Sequence, residues 1–302
     1  MSRSWWRGMR GATFVHRRFD REYAVVVAPL DHSASGYSLE QAYWMAQAAA
    51  LAYKEPDVVE QQARDWGFDD VRHLKSTHAM PFPIEDTQAY VAVSDRMILV
   101  AFRGTEPAQI RDWLTDGTTP PSPGPGGKGF VHYGFDRALS SVYPQLRDTL
   151  AESDDDGRTV WFTGHSLGGA LAMLAGARLY FEDPRRLPDG VYTFGQPRTC
   201  ERLLAAAHRT AFKDRHHRFV NHHDIVPELP PEPAFTHVDR LLWFDADGRL
   251  KERAAGLGGL AGRATSTVGD PFGSATDGVK DHSVARYIAA IEKNLTPANS
   301  TA

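Results

Sequence analysis

Apolar residues fall along this chain in short runs whose spacing switches between the helical period and the strand pattern. Ser38 stands just before LEQAYWMAQAAALAY, where apolar residues recur at helical spacing, so a helix capped by Ser38 is expected. Gln88–Val93 and Met97–Phe102 are β-rich runs joined by Ser94, Asp95 and Arg96, which predicts a hairpin. Tyr23–Leu30 reads as a further strand. Phe135–Leu150 predicts a helix, Thr159–Thr163 a short buried strand, and Ala170–Phe181, poor in charge, another helix. Val191–Phe194, Arg218–Asn221 and Leu241–Phe244 read as strands, and Ser283–Leu295 as a closing helix. Strand and helix alternate through the middle of the chain. The expected class is therefore α/β, a mostly parallel central sheet with helices on both faces.

Two stretches break the pattern. Thr118–Gly129 reads TTPPSPGPGGKG, where proline and glycine forbid regular structure, and Ala254–Gly278 is rich in Gly, Ala, Ser and Thr. The chemical motifs below lie on both sides of each, so neither reads as a domain linker. Residues 1–22 read as a basic arm carrying Arg3, Arg7, Arg10, Arg17, Arg18 and Arg21, and residues 23–302 as a single domain.

Composition narrows the function classes. A net charge of −4 is too balanced for a nucleic-acid binder. The lone cysteine, Cys200, forms no internal disulfide, excludes a multi-cysteine metal site, and reads as a packing residue. No apolar run reaches the roughly 18 residues of a membrane span. The basic N-terminus lacks the apolar core of a secretory leader, so a cytoplasmic location, or export by another route, is the default expectation. His216, His217, His222 and His223 cluster in DRHHRFVNHHD, but adjacent residues in a strand face opposite ways, and no HExxH occurs. No metal and no cofactor is expected.

The chemistry concentrates in TVWFTGHSLGGALA, Thr159–Ala172. A buried strand ends, Gly164-His165-Ser166-Leu167-Gly168 fits G-x-S-x-G, and a helix follows at once, which is the setting of a nucleophile elbow. Side chains two positions before and after the serine would meet the flanking strand and helix, hence glycine at both. The turn lifts the Ser166 hydroxyl above the sheet and aims the first helical N–H groups at the reacting centre. Serine needs a base, and the base an orienting carboxylate, in the chain order Ser, acid, His. Asp224, in NHHDIVPELPP, follows the strand ending near Asn221 and so faces the rim that bears Ser166. Glu228 is the next candidate acid. Asp214 precedes that strand and belongs to the far rim, and Asp239 lies later. His282, just before the final helix, is the leading base, with His237 second; His222 and His223 adjoin Asp224 too closely to span from it to the serine.

An ester's developing oxyanion needs waiting donors. The N–H of Leu167 is one, and Thr105, at the end of the run ILVAFRGT, supplies the other through its N–H and hydroxyl. After it, Ile110, Trp113 and Leu114 mark one apolar face of a short helix, the expected lid and substrate-binding surface.

These residues resemble the class 3, fungal-type lipases, Rhizomucor-like enzymes of the α/β-hydrolase superfamily. The resemblance is carried by AFRGT with a downstream DW, V-H-x-G-F from Val131, GHSLGGALA, YTFGQPR from Tyr192, NHHDIVPELPP, and the DH before the last helix. It implies an α/β-hydrolase fold with a lid within about Glu106 to Asp116, and carboxylic ester hydrolysis by Ser166, Asp224 and His282 with Thr105 and Leu167 as oxyanion donors. Acylglycerols or other lipid esters are the implied substrates, with transient contact to a lipid interface. Small or aromatic esters, phospholipase A1 activity and a non-catalytic lipid-binding role are the alternatives. The single cysteine sets this chain apart from secreted fungal members.

Overall fold

The computed structural model describes residues 27–76, 88–105, 120–153, 157–238, 241–253 and 278–295. Helix α1 (Leu39–Leu51) starts where expected, with the Ser38 hydroxyl accepting the Gln41 N–H. It is alanine-rich and buried on nearly every side, as suits a helix wedged between a sheet and another helix. Helix α2 (Pro56–Asp65) begins on proline, whose missing N–H costs nothing in a first turn. Then follow β1 (Asp70–Lys75) and the hairpin of β2 (Gln88–Val93) and β3 (Met97–Phe102), paired antiparallel with Val93 opposite Ile98.

The rest is strand–helix alternation. The short pair β4 (Ser122–Pro123) and β5 (Phe130–Val131) precedes α3 (Tyr133–Ser153). Then come β6 (Thr159–His165), α4 (Leu167–Glu182), β7 (Gly190–Phe194), α5 (Arg202–Phe212), β8 (His216–Asn221), β9 (Leu241–Phe244), β10 (Leu250–Arg253) and α6 (Val284–Leu295). The eight-stranded sheet runs β1-β2-β3-β6-β7-β8-β9-β10. β3, β6, β7, β8 and β9 are parallel, and the flanking strands antiparallel. The register sets Phe102 beside Gly164, His165 beside Phe194, and Asn221 beside Phe244. The C-terminal ends of β3, β6, β7 and β8 therefore open on one rim.

Strand alternation divides the core. Ile98, Val100, Phe102, Phe162 and Val191 pack with α3, α4 and α5 on one face. Met97, Leu99, Trp161, Tyr192, Phe194, Phe219 and Phe244 pack with α1 and α6 on the other. There, stacked rings cross the strands: Tyr192 to Phe219, Phe219 to Phe194 and Phe219 to Phe244. Each fully buried ring of this kind contributes roughly 1.5–3 kcal/mol, so this stack firmly anchors the floor beneath the rim.

The expected α/β-hydrolase architecture is the one found, with two differences. Residues 27–30 of the Tyr23–Leu30 run form no strand. They lie against α1, where the Trp44 indole donates to the Ala28 carbonyl and Leu30 is buried, while both edges of the sheet are already hairpin strands. The pattern also passed over β1, α2, α5 and β10. Among the described residues 120–129 of the first break, β4 and one turn of 3-10 helix at Pro125–Gly127 are regular, and 254–277 lies outside the described residues. Cys200 is buried between Val131 and Thr236, bridged to both. Among the described residues no helix is long and apolar enough to cross a membrane.

Candidate active site

Ser166 joins β6 to α4 at φ 62°, ψ −128°, a conformation that only a tightly determined turn holds. Its neighbours enforce that turn. A Cβ on Gly164 would come within 2.2 Å of the Gly168 carbonyl group, and one on Gly168 within 2.2 Å of the Phe102 carbonyl oxygen. The elbow therefore closes only with glycine at both positions. The Ser166 N–H donates to Phe194 across to β7 (2.9 Å). Its hydroxyl does not cap α4, as a serine in this position ordinarily would. It lies 2.6 Å from His282 Nε2.

His282 and Asp224 complete the contact. His282 Nδ1 lies 2.8 and 2.9 Å from the two carboxylate oxygens of Asp224, and all three residues are fully buried. The Asp224 carboxylate has two more donors: the Val226 N–H (2.9 Å) and the Tyr287 hydroxyl (2.5 Å). Burial and the neighbouring charge of Asp224 hold the Tyr287 pKa well above its ordinary value, so Tyr287 remains a donor. The Tyr287 oxygen in turn accepts the Asn221 N–H (3.1 Å), tying α6 to the end of β8.

A second network joins the loops that carry Asp224 and His282. The buried Asp281 carboxylate accepts from the His223 N–H (3.2 Å) and Arg286 (2.6 Å), and pairs with His222 Nδ1 (3.0 Å). Its carbonyl accepts from the Asn221 amide (3.0 Å). Gly195, at φ 63°, follows β7 beneath the pair, where a Cβ would lie 2.8 Å from both Asp224 Oδ2 and His282 Cε1.

Residues 99–234 match the sequence profile of the family Lipase (class 3). The lipase of Rhizomucor miehei is 33% identical over 184 residues, covering 58% of this chain and 49% of that protein. Over this segment the chain is similar to the class 3 lipases. Triacylglycerol lipase OBL1 of Arabidopsis thaliana is 29% identical over 249 residues, covering 66% of this chain and 48% of that one. The solved structure of Rhizomucor miehei triacylglyceride lipase superimposes with a TM-score of 0.58 at 25% identity, covering 80% of this chain and 90% of that chain. The chain spans about half the length of the curated relatives it matches.

The matched segment holds Thr105, Ser166 and Asp224 but not His282. Leu167 opens α4, where a first-turn N–H has no intrahelical partner. Thr105 is half-buried just past β3. Between it and the strand, Gly104 runs so close to the elbow that a Cβ would lie 2.5 Å from the His165 carbonyl and 3.2 Å from Ser166 Cβ. Ile110, Trp113 and Leu114 lie outside the described residues.

Of the competing candidates, His237 donates to the Pro227 carbonyl (2.7 Å), and Asp214 sits exposed before β8 on the far rim. Glu228, in the loop after Asp224, receives Arg198 on its carbonyl, and Asp239 lies outside the described residues. His216 packs against His208 on one side of the sheet, and His217 against Tyr37 and Tyr192 on the other. The sequence reading missed Tyr287, Asp281, Gly195 and Tyr53. Only Gly195 and Asp281 had any local signal, as letters within the YTFGQPR and DH motifs.

Proposed function

We propose that this protein hydrolyses carboxylic esters, with acylglycerols or related lipid esters as substrates, through an acyl-enzyme on Ser166. The observation that carries the reading is one continuous contact: Ser166 Oγ at 2.6 Å from His282 Nε2, and His282 Nδ1 at 2.8 Å from Asp224. A carboxylate only accepts, so Nδ1 bears the imidazole hydrogen and Nε2 is the free base.

The steps follow from that proton inventory. The Ser166 oxygen attacks the ester carbonyl carbon as its proton passes to His282 Nε2. Asp224, held by Val226 and Tyr287 as well as by His282, stabilises the imidazolium. The carbonyl oxygen takes up the negative charge, and the Leu167 N–H with the N–H and hydroxyl of Thr105 are our assigned donors to it. As the tetrahedral centre collapses, the C–O bond to the alcohol breaks and Nε2 returns its proton to the departing oxygen. Water then repeats the sequence on the acyl-enzyme and restores the Ser166 hydroxyl. The residues involved run from Thr105 to Tyr287, which supports reading residues 23–302 as one catalytic unit.

Ser166→Ala removes the nucleophile in a turn whose shape depends on its glycines. Turnover of p-nitrophenyl esters should fall on the order of 10⁴-fold or more, with thermal unfolding of the folded protein retained and covalent labelling by a fluorophosphonate lost. Undiminished turnover by that variant would sink the assignment. A panel of acyl chain lengths, presented with and without an emulsion surface, then separates lipid esters from small soluble ones.

A further inference from the structure

His165 precedes the nucleophile, yet its imidazole takes no part in the acyl-transfer steps. Its ring lies 4.5 Å from that of His282, centroid to centroid, and is buried. Its Nε2 is 2.5 Å from the main-chain carbonyl oxygen of His282, and its Nδ1 is 2.9 Å from the Tyr53 hydroxyl. A carbonyl only accepts, so Nε2 carries a hydrogen. Burial, helped by the neighbouring His282, holds the His165 pKa well below its ordinary value, so the ring is neutral. Nδ1 is therefore bare and accepts the Tyr53 hydroxyl. His165 has no free nitrogen with which to act as a second base.

Tyr53 lies just past α1, and its hydroxyl meets a third segment. A Cβ on Gly104 would lie 2.2 Å from that oxygen, so the loop leading to Thr105 rests directly on it. The Arg103 guanidinium stands 6.0 Å from the Tyr53 ring. One hydroxyl thus borders the loop of the assigned oxyanion donors on one side. On the other it borders the ring that grips the backbone of the base.

We propose that Tyr53 and His165 are positioning residues, a hydrogen-bonded strut from α1 through the His165 ring to the His282 main chain that keeps the general base in register with the oxyanion loop. The inference rests on the ester-hydrolase reading above. It has an energetic basis of its own. The direct contact between Ser166 and His282 fixes only a distance, and the strut fixes the imidazole's backbone. Catalysis is sensitive to displacements well under 1 Å.

The test uses the full chain with Tyr53→Phe, His165→Leu, His165→Gln and the double variant Tyr53→Phe/His165→Leu. A fluorophosphonate titrates competent sites, and kcat per labelled site and KM are measured on a p-nitrophenyl ester beside the thermal midpoint. Tyr53→Phe should lower kcat per labelled site about tenfold, with KM within about twofold. His165→Leu should lower it about a hundredfold, and His165→Gln should regain part of that loss, because its amide N–H reaches toward the same carbonyl. In the double variant the losses should not multiply, since both break one strut. Full kcat per labelled site in Tyr53→Phe, with any deficit confined to the labelled fraction or the midpoint, would overturn the strut and leave the hydrolase reading standing. Failure of the unsubstituted protein to label would overturn the hydrolase reading, and the strut with it.

Discussion

Gly195→Ala is the sharpest perturbation of this site, because the new methyl group lands on the acid and the base together. The ideal Cβ stands 2.8 Å from Asp224 Oδ2, 2.8 Å from His282 Cε1 and 2.9 Å from His282 Nδ1. Ordinary contact begins at 3.4 Å, so the carboxylate, the ring or the backbone must yield by about 0.6 Å. Asp224 and His282 are fully buried, and both are held by hydrogen bonds. The Gly195 φ of 63° adds strain of about 1 kcal/mol or more for any residue with a Cβ. A 1 Å misplacement costs catalysis about a hundredfold, so a 0.6 Å one should cost between about ten- and a hundredfold in kcat. Stability should fall by about 1–3 kcal/mol. The assay is kcat per fluorophosphonate-labelled site on a soluble ester, with chemical denaturation alongside. Gly127→Ala is the control: its φ is 67°, but nothing lies within 4 Å of its Cβ, so it should lose stability and keep full activity. If Gly195→Ala matched that control in kcat, the steric reasoning would be wrong.

Tyr287→Phe takes one donor from Asp224 and leaves the Asn221 N–H without that acceptor; kcat should fall about three- to tenfold and stability by about 1–2 kcal/mol, read by steady-state kinetics and denaturation. Burial against Phe135 and Phe235 lowers the His132 pKa to about 4 from 6.5. Between those values the unfolded chain binds the proton more readily, so stability is full above pH 6.5 and declines toward pH 4, by up to about 3 kcal/mol. His132→Gln should therefore flatten the fall in unfolding free energy between pH 7 and pH 4.5, and an unchanged slope would refute the assignment.

Local chemistry explains what the sequence disclosed. The elbow needs a strand, two glycines, a serine and a helix within fourteen residues, Thr159–Ala172, and each part leaves a mark in the letters. That Asp224 and His282 meet Ser166 was legible because chain order and strand ends restrict which carboxylate and imidazole can reach that rim. Tyr287, Tyr53 and Asp281 were not. Their bonds reach Asp224, His165 and His222 across 63, 112 and 59 residues, and nothing beside them in sequence reports a partner so distant. β1 escaped notice because DVRHLK is an edge strand with a mostly wet face, and α2 because PDVVEQQARD buries only Val59 and Ala63. Residues 27–30 of the Tyr23–Leu30 run misled for the opposite reason. Val27 and Leu30 pack with α1 rather than in a neighbouring strand, and periodicity alone cannot tell those uses apart.

Helices α1 and α6 lie against each other although most of the chain separates them, and the imidazole of His282 is delivered by the segment that leads into α6. Ser166 and Asp224 therefore precede the segment that completes their contact, and a chain shortened before His282 would keep the elbow and the carboxylate but lose the imidazole that joins them.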